Sequence, residues 1–191
     1  MNVVAFNGSA RLNGNTALLL NAVLDPIRAA GMDARLIQLG PKPLAGCIAC
    51  YQCFENKDRR CAMGGDAMND YIQAMFEADA VLIGSPSYFA DVTSNVKSLM
   101  DRAGMVAGAN GNPLRRKVGA AVAVARRAGT MHVLDTINHL FASRGMVVPG
   151  SSYWNLGYGR EPGKAAEDAE ALNTMRELGE NIAWLLEKLH N

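Results

Sequence analysis

The sequence predicts an α/β fold of three layers, a five-stranded parallel sheet doubly wound with helices on both faces. Three observations carry this. Short, almost wholly apolar runs recur along the chain, stretches with helical spacing separate them, and a Gly/Ser/Asn-rich loop joins the first run to the first helical stretch. Strands covered on both faces read as continuous apolar runs, and parallel neighbours need connections long enough to hold a helix.

In chain order, residues 3–6 are the first strand. Residues 17–24 are a helical stretch, with Pro26 marking a kink or early stop and Gly31 closing the segment as a C-cap would. Residues 34–39 are the second strand. An insertion at about 41–65 follows, holding every cysteine, and Asp66 is placed to cap a helix through Phe76. Residues 80–83 are the third strand, 84–92 a loop and 93–102 a helix, before a Gly/Asn-rich tip at 104–113. Residues 118–124 are the fourth strand. Val133, Leu134, Ile137, Leu140 and Phe141 then repeat at helical spacing until Gly145. Residues 146–148 are the fifth strand. An aromatic loop at 153–159 leads to a last helix with Leu172, Met175, Leu178, Ile182, Leu185, Leu186 and Leu189 on one face.

A chain of 191 residues, 49% of them hydrophobic, fills the core of one domain, and no repeat, low-complexity tract or linker divides it. Its 19 Lys and Arg against 18 Asp and Glu leave a net charge of +1, which exerts no pull on nucleic acid or anionic membranes. No apolar run approaches the roughly 20 residues of a membrane span, and no signal-peptide pattern opens the chain. The expectation is a cytoplasmic protein that binds neither nucleic acid nor membrane, with its four cysteines in a reducing compartment.

In doubly wound sheets ligands sit outside the carboxyl ends of the strands, so the loops after strands one, three and four are where chemistry is expected. Gly8-Ser9-Ala10-Arg11-Leu12-Asn13-Gly14-Asn15-Thr16 is built to cradle a phosphate. Backbone N–H groups at a helix N-terminus carry the positive end of the dipole, the Ser9 and Thr16 hydroxyls donate, and Arg11 adds a charge. The loop lacks the Lys-Ser/Thr ending of nucleoside-triphosphate loops and the glycine spacing of dinucleotide sites. Taken alone, it also reads as a capped turn in which Asn15 or Thr16 starts the helix. Gly84-Ser85-Pro86-Ser87-Tyr88-Phe89 sets two aromatics beside a rigid turn, where a planar ring packs. Ala125-Arg126-Arg127-Ala128-Gly129-Thr130 offers cations on flexible backbone, suited to the polar edge of that ring or to a second nucleotide.

Over nearly its whole length the sequence resembles the NADPH-dependent FMN reductase family of flavodoxin-like proteins. The resemblance rests on Gly8-Ser9-x-Arg11-x-x-Gly14-Asn15-Thr16, on Gly84-Ser85-Pro86-x-Tyr88-Phe89 followed by Lys97 and Asp101-Arg102, and on Arg127-Ala128-Gly129. It implies a flavodoxin-like sheet of order 2-1-3-4-5 with FMN as cofactor. The phosphate would be held by Ser9, Arg11, Asn13, Asn15 and Thr16, and the ring lined by Pro86, Ser87, Tyr88 and Phe89. Arg126, Arg127 and Gly129 would border the ring or the nicotinamide, with Arg126 or Arg127 pairing with the 2′-phosphate of NADPH. The family's habit implies a homodimer or homotetramer, with Tyr153 and Trp154 either over a neighbour's flavin or packed on their own domain. Lys97 reads as solvated and Asp101-Arg102 as a helix-end pair, and neither is assigned to catalysis.

Cys47, Cys50, Cys53 and Cys61 follow the spacing C-x2-C-x2-C-x7-C, and the chain has no other cysteine. Three thiolates at three-residue intervals can converge on one centre, as in ferredoxin runs, although the fourth is more distant and no Pro follows it. A 4Fe-4S cluster, a tetrahedral zinc site, a redox-active pair and free thiols all remain open readings. The arrangement is similar to that of the iron-sulfur flavoproteins of anaerobic microbes, a branch of the same family that carries a 4Fe-4S cluster beside FMN. His132, His139 and His190 lie on helical stretches without partner spacing and are not taken as ligands.

The resemblance implies electron transfer from a reduced nicotinamide, NADPH or NADH, through FMN to a small-molecule acceptor, with no acid–base side chain required. The alternative is an electron carrier between ferredoxin and an acceptor, using FMN and a 4Fe-4S cluster.

Overall fold

Within the computed structural model, which describes residues 1–190, the apolar runs form β1 (Asn2–Asn7), β2 (Asp33–Gln38), β3 (Ala80–Pro86), β4 (Val118–Ala125) and β5 (Leu156–Tyr158). They lie parallel in the order β2-β1-β3-β4-β5, as the sequence implied. The helices are α1 (Asn15–Ala29), α2 (Gln52–Asn56), α3 (Met68–Glu77), α4 (Ser94–Ala109), α5 (Thr130–Ser143) and α6 (Ala169–His190). None of these helices is long and apolar enough to cross a membrane.

Alternate residues of each strand face opposite sides of the sheet. Val3, Ala5, Leu82 and Val122 therefore pack beneath α1 and α6, against Leu20, Val23, Met175 and Leu178. Val4, Phe6, Val81 and Ile83 pack beneath α3, α4 and α5, against Met75, Leu99, Ile137 and Phe141. The two apolar layers bring the strand ends into line: Asn7 pairs across to Gly84, Pro86 to Val124 and Ala125 to Tyr158.

Three expectations are corrected. Pro26 neither ends nor shortens α1, which runs on to Ala29. Residues 104–109 are not a tip but the last turns of α4, and Gly104 and Gly108 mark a close approach to α5. A Cβ at Gly104 would lie 3.3 Å from Leu140 Cδ1, and one at Gly108 would lie 2.9 Å from Arg144 Nη1. Residues 146–148 are not the fifth strand: of these only Val147 bridges β4, at Val118, and the strand proper is β5, further along the chain. Pro149 is the reason, because it has no N–H to extend a ladder.

Candidate functional site

The loop between β1 and α1 is fixed from beneath by hydrogen bonds. Gly8 N–H donates to Gly84 C=O at 2.8 Å, and Thr93 Oγ1 donates to Gly8 C=O at 2.9 Å. A Cβ on Gly8 would lie 2.2 Å from Val96 Cγ2 and 2.8 Å from the Gly84 oxygen, so only glycine lets β1 and β3 end side by side here. Ser9 N–H donates to Asn7 Oδ1 at 3.1 Å, Arg11 N–H donates to Ser9 Oγ at 3.1 Å, and Gln38 Nε2 donates to Ser9 C=O at 2.5 Å. Gly14 precedes α1, and no side chain caps that helix. Its first N–H groups, with the positive end of the helix dipole, remain for a ligand.

That N-terminus opens into a cleft of about 170 Å³ at the carboxyl ends of β1, β3, β4 and β5. Ser9, Arg11, Asn15, Thr16, Pro86, Ser87, Tyr88 and Arg126 line it, all anticipated from sequence. Val124, Ala125, Gly159 and Arg160 line it too. Arg160 was missed because the fifth strand was placed too early; with β5 at Leu156–Tyr158, a cation two residues past its end was legible. Three arginines and no carboxylate line the cleft, which makes it an anion site.

Five anticipated residues are placed elsewhere or employed otherwise. Asn13 is exposed and does not line the cleft. The Asn15 side chain is occupied by the chain beyond β5: Nδ2 donates to Gly159 C=O at 3.0 Å and Glu161 C=O at 2.9 Å, and Oδ1 accepts from Ala165 N–H at 3.2 Å. Asn15 thus positions Arg160 and leaves only its backbone N–H for an anion. Arg127 is exposed outside the cleft, and Gly129 lies against Ser87 and Ala90, seating the β4 loop on the β3 loop. Phe89 is fully exposed at a tight turn in which Tyr88 and Asp91 exchange backbone hydrogen bonds of 2.8 and 3.2 Å. Phe89 and Ala90 have φ of 49° and 67°, the left-handed pair that such a turn requires.

The four cysteines occupy an otherwise irregular segment. Cys53 is buried on α2, Cys61 is half-buried, and Cys47 and Cys50 are exposed. Burial pushes the Cys53 thiol above its ordinary range, and the neighbouring Cys61, Cys47 and Cys50 push it the same way. Ala49 and Tyr51, either side of Cys50, are both left-handed, with φ of 52° and 59°. Left-handed residues alternating with others turn successive N–H groups into a concavity, the backbone nest found around phosphates and iron–sulfur clusters. Ala49 N–H lies 3.5 Å from Cys47 Sγ. Four sulfurs around one zinc stand about 3.8 Å apart, by tetrahedral geometry from a bond of about 2.3 Å. Among the described residues no three potential ligands gather as a metal site requires. The segment thus brings four thiols and left-handed backbone into one region without gathering the thiols on one centre.

Arg102 is not at a helix end but in the middle of α4, and its side chain is fully buried. Its nitrogens donate to Cys61 Sγ at 3.3 Å, Asp66 Oδ2 at 2.5 Å, Ala45 C=O at 3.2 Å and Met63 C=O at 2.8 Å, tying both arms of the cysteine segment to α4. Asp101 instead pairs with Lys97 on the exposed face, at 2.7 Å. Asn69 completes the hold on Cys61, accepting its N–H at 2.7 Å and donating to its C=O at 2.9 Å.

Comparison with known proteins agrees with this architecture. The family model for NADPH-dependent FMN reductase matches residues 1–161. An iron-sulfur flavoprotein of Methanocaldococcus jannaschii is 36% identical over 190 residues, covering 96% of this chain and 96% of its own. A second iron-sulfur flavoprotein of that organism is 33% identical over 185 residues, covering 92% of each. Among solved structures, a flavodoxin from the domain Archaea superposes with a TM-score of 0.64 at 17% identity, covering 98% of this chain and 99% of its own.

Proposed function

The chain belongs to the NADPH-dependent FMN reductase family and is an FMN-dependent oxidoreductase, and we propose that it takes electrons from NADPH or NADH and passes them to a small-molecule acceptor. The observation that carries this reading is the cleft in which the uncapped N-terminus of α1 meets Arg11, Arg126 and Arg160 with no carboxylate in its lining, Glu161 pairing with Arg160 from outside it at 3.4 Å. In it, the N–H groups of Asn15 and Thr16, the hydroxyls of Ser9 and Thr16, and the guanidinium groups of Arg11 and Arg160 hold the FMN phosphate. Pro86, Ser87 and Tyr88 supply the wall for the flavin ring, and Gly129 keeps that wall in register with β4. Bound FMN supplies hydride acceptance and one- or two-electron delivery. The protein's part is to bind, orient and shield, and no side chain is required to move a proton. Arg126 or Arg127, just past the end of β4, supplies the cation for the 2′-phosphate of NADPH. Exposed Tyr88 and Phe89 fit a homodimer or homotetramer, and the four free cysteines fit the reducing cytoplasm.

Steady-state oxidation of NADPH and NADH by the FMN-loaded protein tests the donor. Turnover with either nucleotide, sustained by a quinone or a soluble dye, is the expected result. FMN retention without nicotinamide oxidation removes the reductase reading.

A second reading is favoured by the cysteine segment: an electron carrier that accepts from ferredoxin, with Cys47, Cys50, Cys53 and Cys61 holding a 4Fe-4S cluster beside FMN. The donor set and the left-handed residues around Cys50 support it. About four irons and four sulfides per chain in anaerobically purified protein, falling on Cys47→Ser or Cys50→Ser, would establish the cluster. Flavin without iron leaves the plain reductase.

A further inference from the structure

The outer edge of β4 is interrupted. Val147 N–H donates to Lys117 C=O and Gly119 N–H donates to Val147 C=O, both at 2.9 Å. The next donor in a parallel ladder would be residue 149, and Pro149 has none. The chain leaves the sheet there and returns at Asn155, whose carbonyl accepts the Ala123 N–H at 2.9 Å. Along β4 the residues paired outward are Gly119, Ala123 and Ala125, so strand alternation turns the N–H and C=O of Ala121 outward as well. Those two groups have no hydrogen-bond partner among the described residues, although Ala121 is only 2% exposed. Buried backbone groups are almost always paired, with protein, water or ligand.

The gap is a cavity of about 490 Å³ rather than a collapsed bulge. Leu134 and Asn138 of α5 form one wall, and Val148, Tyr153 and Trp154 of the departed segment form the other. Asn138 Oδ1 is itself buried without a partner. The segment is braced open by its own contacts. Ser151 Oγ lies 2.7 Å from Tyr153 C=O and 2.6 Å from Asn155 Oδ1, and Asn181 Nδ2 donates to Gly150 C=O at 2.9 Å. A preformed, mainly apolar cavity with a few convergent polar groups, in the size range of small-molecule sites, is what a ligand pocket requires.

We propose that this cavity, distinct from the flavin cleft, binds a flat aromatic molecule bearing a cyclic amide. Its adjoining N–H and C=O pair with the C=O and N–H of Ala121 as a neighbouring strand would. The ring lies between Leu134 and the Tyr153-Trp154 pair, and Asn138 Oδ1 accepts any further donor. An apolar ring alone would leave all three polar groups unpaired, and a second copy of this chain would have to thread a strand behind the braced segment to reach them.

Calorimetric titration of the FMN-loaded protein with isoquinolin-1(2H)-one, and with its N-methyl analogue that lacks the N–H, tests the proposal. The free lactam should bind at least about tenfold more tightly, the worth of one well-formed buried hydrogen bond. Val148→Trp, which fills the cavity from its half-exposed wall, should abolish binding while leaving the flavin absorbance unchanged. Equal binding of the two analogues would reduce the site to an apolar hole and overturn the proposal. So would no binding at millimolar lactam, the result for a cavity that holds only water. Loss of oligomer in Val148→Trp with no lactam binding by the parent protein would instead make this face a contact between copies, which equally overturns it.

Discussion

Replacing Arg102 with methionine would remove one guanidinium and leave four acceptors without it. Methionine nearly matches the length of the arginine stem, so little of the effect comes from a cavity. What remains is the Asp66 carboxylate, whose side chain is only 12% exposed, with its counter-charge gone, together with the Ala45 and Met63 carbonyls and Cys61 Sγ. Removing one partner of a buried pair costs about 3–5 kcal/mol. Because Asp66 keeps some contact with water, the lower end, about 3 kcal/mol, is expected. In a domain of this size each kcal/mol moves Tm by about 2–4 °C, so a fall of about 6–12 °C is predicted. The difference should also depend on pH. Burial alone would raise the Asp66 carboxyl, but the hydrogen bond and charge of Arg102, with the N–H groups of Met68 and Ala45, outweigh it and hold the carboxyl below its usual range. A depressed carboxyl contributes stability that is present above its unfolded pKa of about 3.9 and is lost as pH falls through the lower folded value. Thermal unfolding followed by circular dichroism at pH 7, and again below pH 4, reads both effects. The gap between parent and variant should narrow in acid, where a neutral Asp66 no longer needs its partner. A loss under about 1 kcal/mol at pH 7, the scale of a surface ion pair, or a gap that ignores pH would refute the reasoning.

Other substitutions separate binding from positioning. Gly8→Ala forces a Cβ against Val96 and the Gly84 carbonyl; it should cost about 1–3 kcal/mol of stability by urea unfolding and weaken FMN binding by more than tenfold, about the worth of one charge-assisted bond. Asn15→Ala releases three bonds to residues 159–165 and should weaken FMN about tenfold by freeing Arg160, whereas Asn13→Ala should leave affinity unchanged in the same titration. Arg126→Ala or Arg127→Ala should lower the ratio of kcat/KM for NADPH over NADH while sparing kcat with NADH; a ratio untouched by both places the 2′-phosphate elsewhere.

The strands were legible because burial on both faces writes them as apolar runs such as Val81-Leu82-Ile83, and the loop after β1 because its glycines, hydroxyls and Arg11 fall together between a strand and a helix. The end of the sheet was not. Met146-Val147-Val148 has the composition of a strand, but Met146 packs into the core and Val148 lines a cavity, and the true β5 is a three-residue Leu-Gly-Tyr with too little pattern to declare itself. Arg160 was lost with it. Gly104 and Gly108 look like turn residues, and only the packing of α4 on α5 reveals them as contact points. Arg102 adjoins Asp101 in sequence, but α4 turns the two to different surroundings, so that one is solvated and the other holds the cysteine segment. Long-range roles of this kind, like that of the Asn15 side chain 150 positions from Ala165, depend on the assembled fold.

The central claim is that the α1 N-terminus and its arginines hold FMN by the phosphate. Titration of flavin-free protein with FMN and, in parallel, with riboflavin, which differs only by that phosphate, tests it most directly. The prediction is that FMN binds at least about 100-fold more tightly, equivalent to two charge-assisted hydrogen bonds, and that the difference shrinks as salt is raised. Equal affinity for the two flavins would contradict the account.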